Sequence, residues 1–266
     1  MYHKVLGFQI DDCLEFTYSI ALNKGKLVNS VVSLALILIL CVNQLDICSL
    51  GNYYLFNFKL EQTYPYIVVA FICLFLILWY STLGETTLQT SLFAYQRDWL
   101  NTGEWWRIFT AHFMHSNVFH FILNIIGLFL LWLLHGEYST PRAFAINILL
   151  LCAGISLCIY IWSPAIFWYV GLSGVLHGIF AWGVVIDIFL KRKTGYLLLV
   201  GLIVKLIDEQ FFSTSQFMSE LIEVNVAIDA HFYGAVIGLV LGTISVYFFP
   251  SSLPKTFTTS KKMATK

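Results

Sequence analysis

Seven stretches of the chain are apolar for about the 20 residues that a helix needs to cross hydrocarbon. They run over about 27–45, 65–82, 112–134, 143–162, 167–190, 195–212 and 227–249. The run at 195–212 is the weakest, because Lys205, Asp208 and Glu209 enter its second half. The longest polar stretches are 1–26, 83–108 and 250–266, so no soluble domain is predicted, and there is no repeat or low-complexity segment. This pattern predicts an all-α polytopic membrane protein. Glycines punctuate two of the runs at intervals of four. Gly174 and Gly178 form one small-xxx-small step, and Gly234, Gly238 and Gly242 form two. Such steps let helix backbones approach closely in lipid, so the fifth and seventh runs are predicted to pack together.

Composition agrees with the pattern. Of 266 residues, 59% are hydrophobic and 11% charged, against roughly 25% charged in soluble domains. Net charge is zero and no basic block stands in a polar context, so nucleic-acid binding has no electrostatic support. The six cysteines form no CxxC pair and mostly sit in apolar runs. They read as small buried hydrophobes rather than disulfides or zinc ligands. Lys and Arg near helix ends set orientation. "KRK" at 191–193 and the lysine-bearing tail (Lys255, Lys261, Lys262, Lys266) are predicted to be cytoplasmic, while the loop with Glu220, Glu223 and Asp229 faces outward. "KGK" at 24–26 implies the opposite sense for the first run. Among an extra helix, a tilted surface segment and a non-native extension, the extra helix is preferred.

Six of the seven histidines lie between 112 and 231, in or beside the apolar runs. Polar groups at membrane depth are expensive and mark function. The third, fifth and seventh runs share a direction. Counted from their outer ends at 1.5 Å per residue, His120, Asn124, Ser173 and His231 fall within roughly 6–18 Å of the surface. A serine becomes a nucleophile when a base takes its proton, and histidine suits that role. The oxyanion then needs donors, which His120 and Asn124 (i, i+4) and the Ser173 backbone N–H can offer. No third partner is evident, since Asp187 lies near the opposite surface, and a Ser–His dyad is expected.

"GLSG" (171–174), "AHFYGAVIG" (230–238) and "WWRIFTAHFMHSNVFHFILN" (105–124) together resemble the rhomboid intramembrane serine proteases over residues of about 65–249. The resemblance makes Ser173 the nucleophile and His231 the general base. His120 and Asn124 match the family's oxyanion pair, with Gly171 in the strand-like approach to the serine. Trp106 and Arg107 match the WR motif that anchors the first loop, and His115 matches a structural or water-binding histidine. Gly174 and Gly234, from the small-xxx-small steps, are expected to support the site by letting the two helices pack closely. The resemblance implies a six-helix core, and so three regions: an extension over 1–64 with one extra hydrophobic helix, a protease domain over 65–249 and a basic tail over 250–266. No metal or cofactor is implied.

Many rhomboids carry tyrosine four residues after the serine, stacked on the histidine; here the position is His177. "GLSGVLHG", with "GEWWRIFTAHFMH" upstream, resembles the bacterial rhombosortase branch. That branch is associated with transmembrane substrates bearing a C-terminal GlyGly-type sorting signal. The resemblance implies a multi-pass inner-membrane enzyme in the lipid bilayer, its site open to the periplasm and its C-terminus cytoplasmic. His177 could stack on His231, carry protons or line the pocket. His112 and His135, near opposite faces, read as interfacial. Two other readings are kept: an inactive rhomboid-like client binder, and a membrane electron carrier with haem between paired histidines. The HExxH metalloprotease motif is absent.

Overall fold

The computed structural model describes residues 60–82, 92–138, 140–212 and 216–249. The predicted run at 27–45 and the tail 250–266 lie outside the described residues. In chain order the elements are α1 (Leu60–Thr82), β1 (Tyr95–Gln96), α2 (Arg97–Asn101), α3 (Arg107–Thr110), α4 (Val118–His135) and α5 (Pro141–Trp162). They continue with β2 (Trp168–Tyr169), α6 (Ser173–Phe189), α7 (Lys193–Phe211), α8 (Gln216–Ile222) and α9 (Ile228–Phe248). Four of these helices, α1, α4, α5 and α9, are long and apolar enough to cross a membrane. Each is apolar on both sides: in α5, Leu151 and Ile155 are buried while Leu149 and Leu157 stand exposed. A helix with no polar face has its outside in lipid. The protein is an all-α, multi-pass membrane protein.

α6 is the centre of the bundle. It has 17 residues and is buried along most of its length, from Gly174 and Val175 to Ile186 and Asp187. α4, α5, α7 and α9 surround it, so it is shielded from lipid and can be short. Its closest neighbour is α9, and glycine makes that approach possible. A Cβ at Gly234 would lie 2.0 Å from the Gly174 carbonyl oxygen, and one at Gly238 would lie 2.1 Å from that of Gly178. The start of α9 is tied to the end of α5, where Ser163 Oγ bonds Asp229 and the Tyr233 hydroxyl.

Helix boundaries differ from the apolar runs for local reasons. The predicted span at 112–134 opens with a 3-10 turn at Ala111–Phe113. The helix starts at Val118, because the Asn117 side chain accepts the His120 N–H and caps it. The run at 167–190 opens with β2, which pairs antiparallel with β1 (Tyr95 opposite Tyr169). Gly171 then turns the chain at φ +126°, and α6 begins at Ser173. Ser173 therefore opens its helix, six residues into the apolar run. α1 begins five residues before the predicted span, since polar Gln62 and Thr63 continue the helix and bond α4 and its C-terminal turn.

The loop before α4 is held by two arginines. Arg97 donates to the Ile159, Tyr160 and Ser163 carbonyls at 2.9–3.1 Å. It caps the C-terminus of α5, adding a donor to the Ile159 and Ser163 carbonyls, which also accept the Ser163 and Ile166 N–H groups, and satisfying that of Tyr160. Arg107 is fully buried: it pairs with Glu104 at 2.6 Å, donates to the Ala94 carbonyl, and lies over the Trp99 ring. Trp106 remains half-exposed, its indole N–H on the Leu92 carbonyl.

Candidate active site

α4, α6 and α9 begin at the same end of the bundle, and their first turns carry His120, Ser173 and His231. Ser173 Oγ lies 2.8 Å from His231 Nε2, across 58 residues of sequence. Gly174 and Gly234 set that distance, because both helices place a glycine at the contact immediately beside the two side chains. The His177 ring lies on the His231 ring, centroids 4.3 Å apart and planes 14° from parallel. Its Nδ1–H donates to the Ser173 carbonyl at 2.8 Å. His177 is thus a stacking partner one turn into α6 and makes no bond to the serine hydroxyl.

The His120 ring faces this pair. Its Nε2 is 2.7 Å from where a Gly171 Cβ would stand, and Ser173 Oγ is 4.0 Å from that same point. Only glycine fits here, both for this space and for the positive φ. The Ser116 backbone N–H donates to His120 Nδ1 at 3.4 Å, and the Ser116 hydroxyl, 3.0 Å from the same nitrogen, gives its one proton to the Ile222 carbonyl. Asn124 is buried one turn further along, where its amide donates to the His120 carbonyl of its own helix at 3.1 Å. His115 packs edge-on to His120 at 5.1 Å and on Phe121.

The turn before Ser173 is pinned from both sides. Gly171 N–H donates to the Ala111 carbonyl, and the Tyr169 hydroxyl donates to the Gly171 carbonyl at 2.6 Å. Tyr169 is in turn bonded to His112 Nδ1 at 3.3 Å, and His112 Nε2 meets Ser156 Oγ and the Cys152 carbonyl. His112 lies in the 3-10 turn outside the spanning helices. Burial pushes its imidazole down to about 4, against the bond to the Cys152 carbonyl, which raises it. His112 and His135 stand before the start and at the end of α4, and both are almost wholly buried within the protein. His135 lies at the other end of the bundle with Tyr138 and Asp187, and Arg192 reaches Asp187 there at 3.7 Å.

Read from sequence, His231 has no carboxylate partner; in the structure Glu209 takes that place. Its oxygens lie 2.9 and 3.0 Å from His231 Nδ1, and Lys205 Nζ is 3.0 Å from one of them. Glu209 is 4% exposed. Burying an unpaired carboxylate costs about several kcal/mol, so these partners are a condition of its being there. The signal in the sequence was the charged turn inside an apolar run, which can mark either a poor span or a functional group.

His177, Glu209 and His231 bring their ligand atoms within 4.8 Å of one another. The two rings lie face to face, so their in-plane lone pairs do not converge on one ion, and the Lys205 ammonium adds positive charge. An ion-pair network fits these residues better than a metal centre. Nor do the close histidine pairs among the described residues favour the haem reading. The His177–His231 and His115–His120 rings touch at 4.3 and 5.1 Å and leave no porphyrin-sized gap between them.

Beside the pair is a cavity of about 670 Å³, lined by Ser116, His120, Tyr169, Ser173, Ile222 and Val226 among others. The rhomboid domain pattern matches residues 102–248, more than half of the chain. The chain belongs to the rhomboid family. No curated protein matches it. As a rhomboid, it is a membrane-embedded protein of an intramembrane protease family, whose members act on transmembrane substrates within the bilayer.

Proposed function

We propose that this rhomboid is an active intramembrane serine endopeptidase in which Ser173 attacks and His231 takes its proton. The observation that carries the reading is the 2.8 Å contact between Ser173 Oγ and His231 Nε2, fixed by a glycine-only helix contact and open to a cavity. As Oγ bonds to the scissile carbonyl carbon, its proton passes to Nε2 and the carbonyl oxygen becomes an oxyanion. The Ser173 N–H, in the first turn of α6, has no helical partner and can donate to that oxyanion. His120 Nε2, above Gly171, is the second donor. The imidazolium then protonates the leaving amine as the C–N bond breaks. Water, deprotonated by the same ring, hydrolyses the acyl-enzyme and restores Ser173. Asn124, one turn further along the same helix, gives one of its two amide N–H groups to the His120 carbonyl and can offer the other to the oxyanion.

A scissile bond in a helix must leave its hydrogen bonds before it can be attacked, which favours glycine and other small residues. The "GLSGVLHG" motif with His177 supports the rhombosortase branch, and with it clients bearing a C-terminal GlyGly-type signal. The basic turn at Lys191–Lys193, at the end of α6 remote from Ser173, supports a cytoplasmic position for that end. The site then opens to the periplasmic side of a bacterial inner membrane, with the C-terminus cytoplasmic.

The test is co-expression with a GlyGly-tailed client, comparing wild type with Ser173→Ala and His231→Ala. Cleavage by wild type alone is expected; processing by both variants overturns the mechanism. A client with its two glycines changed to valine should stay uncut. If it is cut equally well, the signal assignment fails while the protease assignment stands.

A further inference from the structure

We infer that Glu209 and Lys205 on α7 extend the Ser173–His231 pair into a buried relay, in which Glu209 is the positioning residue for the general base. The inference rests on the proposed serine-protease reading and adds to it a member from a helix outside the family-like motifs.

Three observations carry it. Glu209 meets the ring nitrogen of His231 that faces away from the serine, with both carboxylate oxygens at 2.9–3.0 Å, while the opposite nitrogen meets Ser173 Oγ at 2.8 Å. The three groups therefore form one line of hydrogen bonds. A carboxylate at Nδ1 accepts a hydrogen bond from Nδ1–H, which keeps the proton there and leaves the Nε2 lone pair free for the serine proton. Next, Glu209 sits in the last turn of α7, the negative end of the helix dipole, where a carboxylate disfavours the helix. Finally, Lys205, one turn earlier on α7, bonds the same carboxylate at 3.0 Å with its side chain 17% exposed.

Charge balance explains the pairing. Before reaction the Lys205 ammonium offsets the Glu209 carboxylate beside a neutral His231. When the serine proton arrives, the new imidazolium is offset by the oxyanion across the ring and lies directly on the carboxylate. His177, stacked on the other face of the ring, holds its plane in line with both partners. His120, Lys205 and His177 are the titratable groups on α4, α7 and α6 that surround His231.

The test uses the full-length protein in proteoliposomes with a cleavable client, read as kcat and KM, plus the labelling rate of Ser173 by a fluorophosphonate. Glu209→Gln keeps the shape but can offer an N–H toward Nδ1, which favours the wrong tautomer. It should lose about 10²- to 10⁴-fold in kcat with KM little changed, and label correspondingly slowly. Glu209→Asp should recover part of the loss. The double variant Lys205→Met/Glu209→Leu replaces a buried ion pair by apolar groups, a change that folds tolerate. It should melt near wild type yet remain as slow as Glu209→Gln. Wild-type kcat in either Glu209→Gln or the double variant overturns the relay. Ser173→Ala run in parallel keeps the two ideas apart: if it is inactive while the Glu209 variants are not, only the relay fails, and if it still cleaves, the protease reading fails first.

Discussion

Gly234→Ala tests whether the helix contact sets the chemistry. The added Cβ would lie 2.0 Å from the Gly174 carbonyl oxygen and 2.9 Å from its carbon, both backbone atoms that cannot rotate away. Moving from 2.0 Å to even a tight 3.0 Å contact requires α6 and α9 to part by about 1 Å. Ser173 adjoins Gly174, and His231 lies on the same turn as Gly234. A rigid separation therefore carries the 2.8 Å Oγ–Nε2 contact to about 3.8 Å, beyond hydrogen-bonding reach. Overpacking of this kind costs about 1–3 kcal/mol of stability, and a 1 Å misplacement of a catalytic pair costs about 10²-fold in rate. The assay is client cleavage in proteoliposomes at matched folded protein, with thermal unfolding measured alongside. Gly127→Ala is the control, because its Cβ would meet only the end of the Leu176 side chain at 3.0 Å, which can shift. Wild-type kcat in Gly234→Ala, with the protein folded, refutes the claim that backbone contact sets the Ser–His distance.

Three further outcomes follow from the same geometry. Tyr169→Phe removes the hydroxyl on the Gly171 carbonyl and leaves a buried acceptor unpaired, a cost of about 1–3 kcal/mol. kcat should fall about tenfold with the melting temperature only modestly lower, and an unchanged kcat would show that this carbonyl needs no anchor. His177→Ala removes a ring stack worth about 0.5–1.5 kcal/mol, so kcat should fall about 2- to 10-fold, whereas His177→Phe, which keeps a ring, should stay closer to the parent. Arg97→Met uncaps α5 and should cost about 1–3 kcal/mol in unfolding experiments, while kcat per folded molecule is retained.

The fold class was legible because an excess of apolar residues in spans of helical length has few other solutions. The α6–α9 contact was legible too, since glycines at intervals of four on two runs are informative in lipid, where close approach replaces the hydrophobic effect. Helix starts were not. Hydropathy counts the apolar residues of β2 and of the 3-10 turn before α4 as span, while the start of α6 is decided by one positive φ at Gly171. Spacing placed His120 and Asn124 on one face, yet could not decide that the Asn124 amide would bond its own helix carbonyl. Glu209 was hidden for a different reason. Averaging over a window turns a charge into a defect of the span, and only the packing of α7 against α9 shows which side chain the charge faces. The histidines drew attention instead because they are chemically versatile wherever they lie, yet His112 and His135 are held by hydrogen bonds within the protein, away from the Ser173–His231 contact.

Helix direction adds a last constraint on where charge can develop. α4, α6 and α9 start at the end that holds Ser173, and α7 ends there. The first turns of helices bear partial positive charge and the last turns partial negative charge. In the proposed reaction the oxyanion forms beside the first turns of α6 and α4, and the imidazolium forms on a ring whose far nitrogen faces the last turn of α7. The two opposite charges thus arise on the sides of the site where the backbone already favours each of them. An alternating bundle makes this arrangement available wherever an up-running helix starts beside the end of a down-running one. In this chain the adjoining end carries Glu209. Replacing that carboxylate therefore removes the fixed charge but not the dipole behind it, and this is why the relay variants are expected to be slow rather than dead.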